Sequence, residues 1–184
     1  MNADQALDKV LSMEFQTVLD VGAGGDHADT FRNNGKTVTT LNFTDADICS
    51  DFLTAKVGAY DLVWASHVLE HCPNPNLFLK KAYSCLNSGG ILAITVPPLK
   101  HEIVGGHVSL WNPGLLLYHL VLAGFDCSEA SVKEYGYNIS VVLRKKQAKL
   151  PALSMDCGDI EKLARFFPFP AQHGFDGRLR EINW

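Results

Sequence analysis

Apolar residues recur at strand-like and helix-like spacings in turn along most of the chain, and no internal repeat interrupts that alternation. A short amphipathic helix is predicted around Ala3 to Leu11, followed by a strand from Thr17 to Val21 that stops at Gly22-Ala23-Gly24-Gly25. Asp26 is placed to cap the next helix and Gly35 to end it. A second strand covers Thr37 to Leu41, a polar stretch holds Asp45, Asp47 and Asp51, and a third strand covers Tyr60 to Ala65. Asn74-Pro75 is an N-cap and first-turn pair for a helix reaching about Leu86, with Asn87-Ser88-Gly89-Gly90 expected to terminate it. Ile91 to Val96 reads as a buried strand ended by Pro97-Pro98. Asn112-Pro113 opens another helix that Gly124 closes, and Phe125 to Glu134 with Tyr137 to Lys145 reads as a hairpin across Gly136. The class is therefore α/β, parallel βαβ units finishing in an antiparallel hairpin.

Beyond Lys149 the pattern changes to Pro151, a predicted helix from Ile160 to Phe166, and the run Phe166-Phe167-Pro168-Phe169-Pro170. The expected division is a domain over 1–149 and an aromatic tail over 150–184. Phe166, Phe167, Phe169, Phe175 and Trp184 are too many aromatics for a solvated segment, so the tail is expected to pack on the domain or across a homodimer.

Sixteen Lys+Arg against twenty Asp+Glu give a charge of -4, without the basic excess that phosphate-backbone binders use, so no nucleic-acid partner is expected. The longest apolar stretches fall short of the roughly 20 residues that cross a bilayer, so no membrane partner is expected either. The opening MNADQALDKVLSMEFQ lacks a basic segment before an apolar run, and a cytoplasmic location is the expectation. Five cysteines without CxxC spacing argue against a disulfide framework and a thiolate zinc site; they read as reduced, mostly buried thiols.

The candidate chemistry begins at Asp20-Val21-Gly22-Ala23-Gly24. Glycines there let the backbone turn sharply and approach a ligand, and the N-H groups that follow suit a carboxylate or phosphate. A tight turn with no ligand would use the same glycines. A second candidate is Pro97 to Trp111, PPLKHEIVGGHVSLW, on the side where open α/β sheets bind ligands. Its His101, Glu102 and His107 suit a substrate lid with a base, His107 ahead of His101 because Gly105-Gly106 lets its backbone enter the site. A plain surface loop whose His107 bonds backbone fits as well.

Three blocks in order, DVGAG at 20–24, YDLVWASHVLEH at 60–71 and LNSGGILAITVP at 86–97, resemble the class I S-adenosylmethionine-dependent methyltransferases, specifically small single-domain members of the type-11 kind. The resemblance covers about Thr17 to Lys145. It implies a Rossmann-like, doubly wound, mostly parallel sheet in the order 3-2-1-4-5-7-6 with an antiparallel terminal hairpin. It further implies that Asp20, Gly22 and Gly24 meet the methionine part of S-adenosylmethionine, Asn42 the ribose, and Asp51 with Phe52 the adenine. Ala65, Ser66 and His67 would lie near the transferred methyl, and S-adenosylhomocysteine would be the product.

Two positions depart from the family pattern. Asp26 stands where a third glycine is common, and Asn42 where an acid usually holds the ribose, an amide being a weaker partner than a carboxylate. His67 and His71, four apart on a predicted helix, have a spacing that suits a metal; without HExxH, and with a matching family segment that needs none, no metal is expected. Glu70 and His71 read as helix-start residues making structural hydrogen bonds. The expected activity is methyl transfer to a small-molecule acceptor, such as a hydroxyl of a sugar or metabolite, with His107 rather than His67 taking the proton. The alternatives are a non-catalytic binding module on the same fold and, less favoured because His27 occupies the sixth position of G-x-G-x-x-G, an NAD-dependent oxidoreductase.

Overall fold

The computed structural model describes residues 3–24 and 26–184, so Gly25 of the glycine turn lies outside the described residues. The first helix, α1 (Asp4–Leu11), leads to β1 (Thr17–Val21), α2 (His27–Asn33), β2 (Thr37–Asn42) and a two-residue strand, β3 (Ile48–Cys49). After β4 (Tyr60–Ser66) come α3 (Pro75–Ser84), β5 (Leu86–Val96), α4 (Pro113–Leu122) and the hairpin of β6 (Ser131–Tyr135) and β7 (Asn138–Arg144). The tail adds α5 (Asp159–Leu163) and β8 (Glu181–Ile182). One sheet results, ordered β3-β2-β1-β4-β5-β7-β6-β8, parallel from β3 to β5 and antiparallel beyond. This is the Rossmann-like order that the resemblance implies, with one further strand at the hairpin edge.

Alternation along the central strands divides the core. Val18, Leu62, Trp64, Ile91 and Ala93 pack with α1 and with Phe31 of α2 on one face. Leu19, Val21, Val63, Ala65, Leu92 and Ile94 pack with α3 and α4 on the other. The starts of β1 and β4 are pinned by Asp61, whose carboxylate accepts from Thr17 N (2.9 Å), Thr17 Oγ1 (2.9 Å) and Gln16 N (3.1 Å), and also from Asn87 Nδ2 (2.8 Å). The Asn87 bond leads these in holding Asp61 down to about 2, well below the usual carboxylate range.

Several local expectations are corrected. Asn87 to Gly90 do not end a helix; α3 stops at Ser84, and these residues bulge within β5, where the register jumps between Tyr60↔Leu86 and Leu62↔Ile91. Gly90 is needed there because a Cβ would stand 3.1 Å from Asp61 O and 3.2 Å from Tyr60 O. Asp26 makes no side-chain cap; Thr30 N and Thr30 Oγ1 bond its carbonyl instead, both at 3.0 Å. The segment around His67 is not helical: His67 adopts φ +56, and a single 3-10 turn (Leu69–His71) follows. Cys85 and Cys127 are buried, but Cys49, on the edge strand, and Cys157, in a loop, are exposed; all five are free.

Both Asn-Pro caps form as read. Asn74 Oδ1 accepts from Leu77 N (3.2 Å) and Asn112 Oδ1 from Leu115 N (2.7 Å). Asn112→Ala is expected to lower stability by about 1 kcal/mol, seen as a drop in the urea midpoint at unchanged slope. In the tail, Phe167 packs against Phe175 and Phe169 (ring centroids 4.9 and 5.6 Å), Gly114 N donates to Gly177 O (3.0 Å), and β8 pairs with β6.

Candidate functional site

Because β1, β2 and β4 run parallel, their carboxyl ends open together into one crevice. At its centre Gly22 takes φ +78, and a Cβ there would collide with Cγ2 of Val68, so only glycine fits both the backbone and the space. Gly22 N and Ala23 N donate to Leu41 O at 2.8 and 3.4 Å. Asn42, at the end of β2, donates from Nδ2 to Ala23 O (2.6 Å) and accepts from Phe43 N (2.8 Å), tying the glycine turn to the second strand.

A cleft of about 570 Å³ lies over this turn, lined from the sheet by Asp20, Gly22, Gly24, Trp64, Ser66 and His67, with Asp26 and His27 at its rim. Asp20 and Trp64 are register partners on adjacent strands, which sets both side chains on the cleft floor. Asp20 is 4% exposed, no described residue hydrogen-bonds its carboxylate, and burial raises it to about 7, Arg32 offsetting only part of that. Trp64 Nε1 is buried and also unpartnered among the described residues. A buried acid beside a buried donor suits a ligand that carries an ammonium and a carboxylate on one carbon. His27 lays its ring edge on Trp64 at 5.1 Å, and burial lowers its pKa against the pull of Asp4 and Asp26.

Ser66 and His67 carry the cleft toward the loop of residues 97–111. His67 Nε2 lies 2.9 Å from Asn138 Oδ1 and its ring stacks on Tyr137, over which Lys100 Nζ stands at 4.1 Å. Burial pulls His67 down, but Glu70 and Asn138 outweigh it and leave its pKa raised. His107 does not line the cleft; its ring packs edge-on against His71 at 5.0 Å. Ala65 is buried in β4. Asp51 accepts from Leu53 N (2.8 Å) and Phe52 packs on Phe78 (4.8 Å), both outside the cleft lining. The structure thus brings Asp20, Gly22, Gly24, Ser66 and His67 together and leaves Asp51, Phe52 and His107 apart from them.

Trp64 and Asn138 are not among the site residues expected from the sequence, and Glu70, read there as a structural helix-start residue, makes no side-chain hydrogen bond among the described residues. Trp64 falls on an ordinary core position of β4, and Asn138 reaches His67 only across 71 residues of chain. Glu70 alone carried a local signal, an acid between an apolar strand and a helix cap.

Residues 3–120 match a family model described as a methyltransferase domain. No curated protein matches the chain in sequence. Among solved structures, the 1,6-didemethyltoxoflavin-N1-methyltransferase of Burkholderia thailandensis, with bound 1,6-didemethyltoxoflavin and S-adenosylhomocysteine, is 14% identical with TM-score 0.62, over 79% of this chain and 80% of that one. A SAM dependent methyltransferase from Archaeoglobus fulgidus is 14% identical with TM-score 0.64, over 77% and 92%. The [4+2]-cyclase SpnF is 22% identical with TM-score 0.57, over 72% of this chain and 59% of its own. At these identities the likeness is one of fold.

Proposed function

This chain belongs to the methyltransferase-domain family, and from that premise we propose that it transfers the methyl group of S-adenosylmethionine to a hydroxyl of a small molecule, such as a sugar or another metabolite, releasing S-adenosylhomocysteine. The observation that carries the reading is the unpartnered pair of Asp20 and Trp64 on the floor of a cleft closed by Gly22. They suit the amino-acid end of that cofactor. When bound, S-adenosylmethionine supplies an electrophilic methyl group.

The chain's part is to position and to shield. Asp20, Gly22 and Gly24 are assigned to the methionine end and Asn42 to the ribose, where its amide keeps one N-H and one lone pair beyond its bonds to Ala23 and Phe43. Asp51 and Phe52 remain the adenine candidates, Asp51 accepting from Leu53 N within its own loop and Phe52 packing on Phe78. Ser66, on the cleft wall, and Ala65, buried beside it in β4, are assigned to the neighbourhood of the methyl. His67 and His107 are the catalytic candidates on the acceptor side, one at the cleft and one on the facing loop. Residues 1–149 are taken as the catalytic domain and 150–184 as a tail closing its α4 side, a division supported by the Tyr118–Phe167 contact at 6.3 Å.

Calorimetric titration with S-adenosylhomocysteine tests the reading. Saturable micromolar binding is expected, and His67→Ala and His107→Ala should each slow turnover by about 10²- to 10⁴-fold on a competent acceptor while binding persists. A second reading, a binding module without catalysis, is favoured by one observation, the engagement of Asn42 within the protein. Absence of S-adenosylhomocysteine binding would select it.

A further inference from the structure

The turn after β4 buries an acid whose carboxylate has no hydrogen-bonding partner among the described residues. Glu70 is 0% exposed, and neither carboxylate oxygen accepts a hydrogen bond among the described residues. His67 Nδ1 stands 3.3 Å from Glu70 Oε1 without hydrogen-bond alignment, and His71 Nε2 stands 3.8 Å from the same oxygen. His71 Nδ1 is 2.9 Å from Gly106 O, and since a carbonyl only accepts, that nitrogen carries the proton. In the neutral ring Nε2 is then a lone pair facing Glu70 Oε1 across 3.8 Å. The third member is His107, which offers a ring nitrogen such that its ligand atom and those of Glu70 and His71 all lie within 4.8 Å of one another.

Backbone bonds hold this group in place. Val108 N and Ser109 N donate to Glu70 O at 2.8 and 3.3 Å, clamping the loop onto the turn. Gly106 takes φ +81, and a Cβ there would press to 3.1 Å of His71 Nδ1, so the glycine lets the loop approach that ring. A ring nitrogen whose opposite N-H is held by a backbone carbonyl is the arrangement in which metal-ligating histidines are normally found.

We propose that Glu70, His71 and His107 form a binding site for a divalent transition-metal ion of the Zn²⁺ or Co²⁺ type. Two imidazoles and one carboxylate are the donor set such ions prefer, whereas Mg²⁺ and Ca²⁺ take oxygen ligands. The ion supplies the counter-charge that a buried carboxylate requires. Three protein ligands leave a position for water or a substrate oxygen, and the contact between Glu70 and His67 sets that position next to the cleft.

Titration of Co²⁺ into the whole protein, followed by its visible d-d absorption, with Zn²⁺ calorimetry alongside, tests the site without reference to methyl transfer. One ion per chain is expected, with Glu70→Gln and His107→Ala each weakening binding at least about 10-fold. Glu70→Gln keeps the side-chain volume while replacing one carboxylate oxygen, and His107→Ala removes a loop side chain whose ring contact is with His71, so circular dichroism should report both as folded. Absent binding, or equal affinity in wild type and both variants, would overturn the proposal. So would a thiolate charge-transfer band, which would put the ion on the free cysteines.

Discussion

Gly22→Leu is expected to abolish S-adenosylhomocysteine binding while leaving the sheet folded. The residue holds φ +78, a region that costs a bulky L-residue about 1–2 kcal/mol, and its Cβ would collide with Val68. Relief must come from the turn, because Val68 packs against the core on the α3 side. Moving the turn breaks the bonds of Gly22 N and Ala23 N to Leu41 O and drags on Asn42 through Ala23 O. The turn and Asn42, proposed to hold the methionine end and the ribose, are disturbed at once, so loss of affinity by more than about 100-fold is expected. Gly35→Ala is the control: it has φ +74 with nothing within 4 Å of the added Cβ, and it lies at the far end of α2. It should show the backbone penalty in stability with unaltered binding. Calorimetry reads affinity and far-ultraviolet circular dichroism reads the fold; unchanged affinity in Gly22→Leu would remove the methionine site from this turn.

The parts of the molecule legible in the sequence are those written in short-range chemistry. Asn74-Pro75 and Asn112-Pro113 announce helix starts because the cap oxygen and the N-H it accepts lie three residues apart. Gly22 and Gly136 announce turns because their φ values, +78 and +53, are costly for other residues. What misled was equally physical. Asn87-Ser88-Gly89-Gly90 has helix-stop composition, yet its last glycine serves a close strand approach that only the neighbouring β4 reveals. His67 and His71 have helical spacing, but Gly22 lies under Val68 and the chain turns tightly there, so the pair that the spacing would join is replaced by Glu70, His71 and His107. That group depends on a loop 35 residues downstream meeting the turn at Gly106, which no local pattern encodes.

The unliganded protein is expected to lose stability as pH rises from about 4 to 7, and Asp20 is the main cause. Its folded-state value is about 7 against an ordinary 3.8, raised chiefly by burial. Between those values the folded chain holds a proton that the unfolded chain has released, so each step up in pH favours unfolding. The contribution is complete below 3.8 and gone above about 7. It amounts to on the order of 4 kcal/mol, which for a chain of this length is a melting shift of about 8–16 °C. His67, with its raised value, slopes the same way near neutrality, His27 and His119, lowered by burial, slope the other way, and Asp61, held to about 2, acts only in stronger acid. The difference between wild type and Asp20→Asn therefore isolates the group: the variant, with no proton to lose, should melt higher than wild type at pH 8 and converge with it at pH 4. A bound ammonium at Asp20 would favour the ionised form, so S-adenosylhomocysteine should bind wild type more tightly as pH rises through 7 and Asp20→Asn with no such trend. Thermal melts from pH 4 to 8 decide it, and parallel profiles for the two proteins would show that the Asp20 carboxyl is not held protonated on the cleft floor.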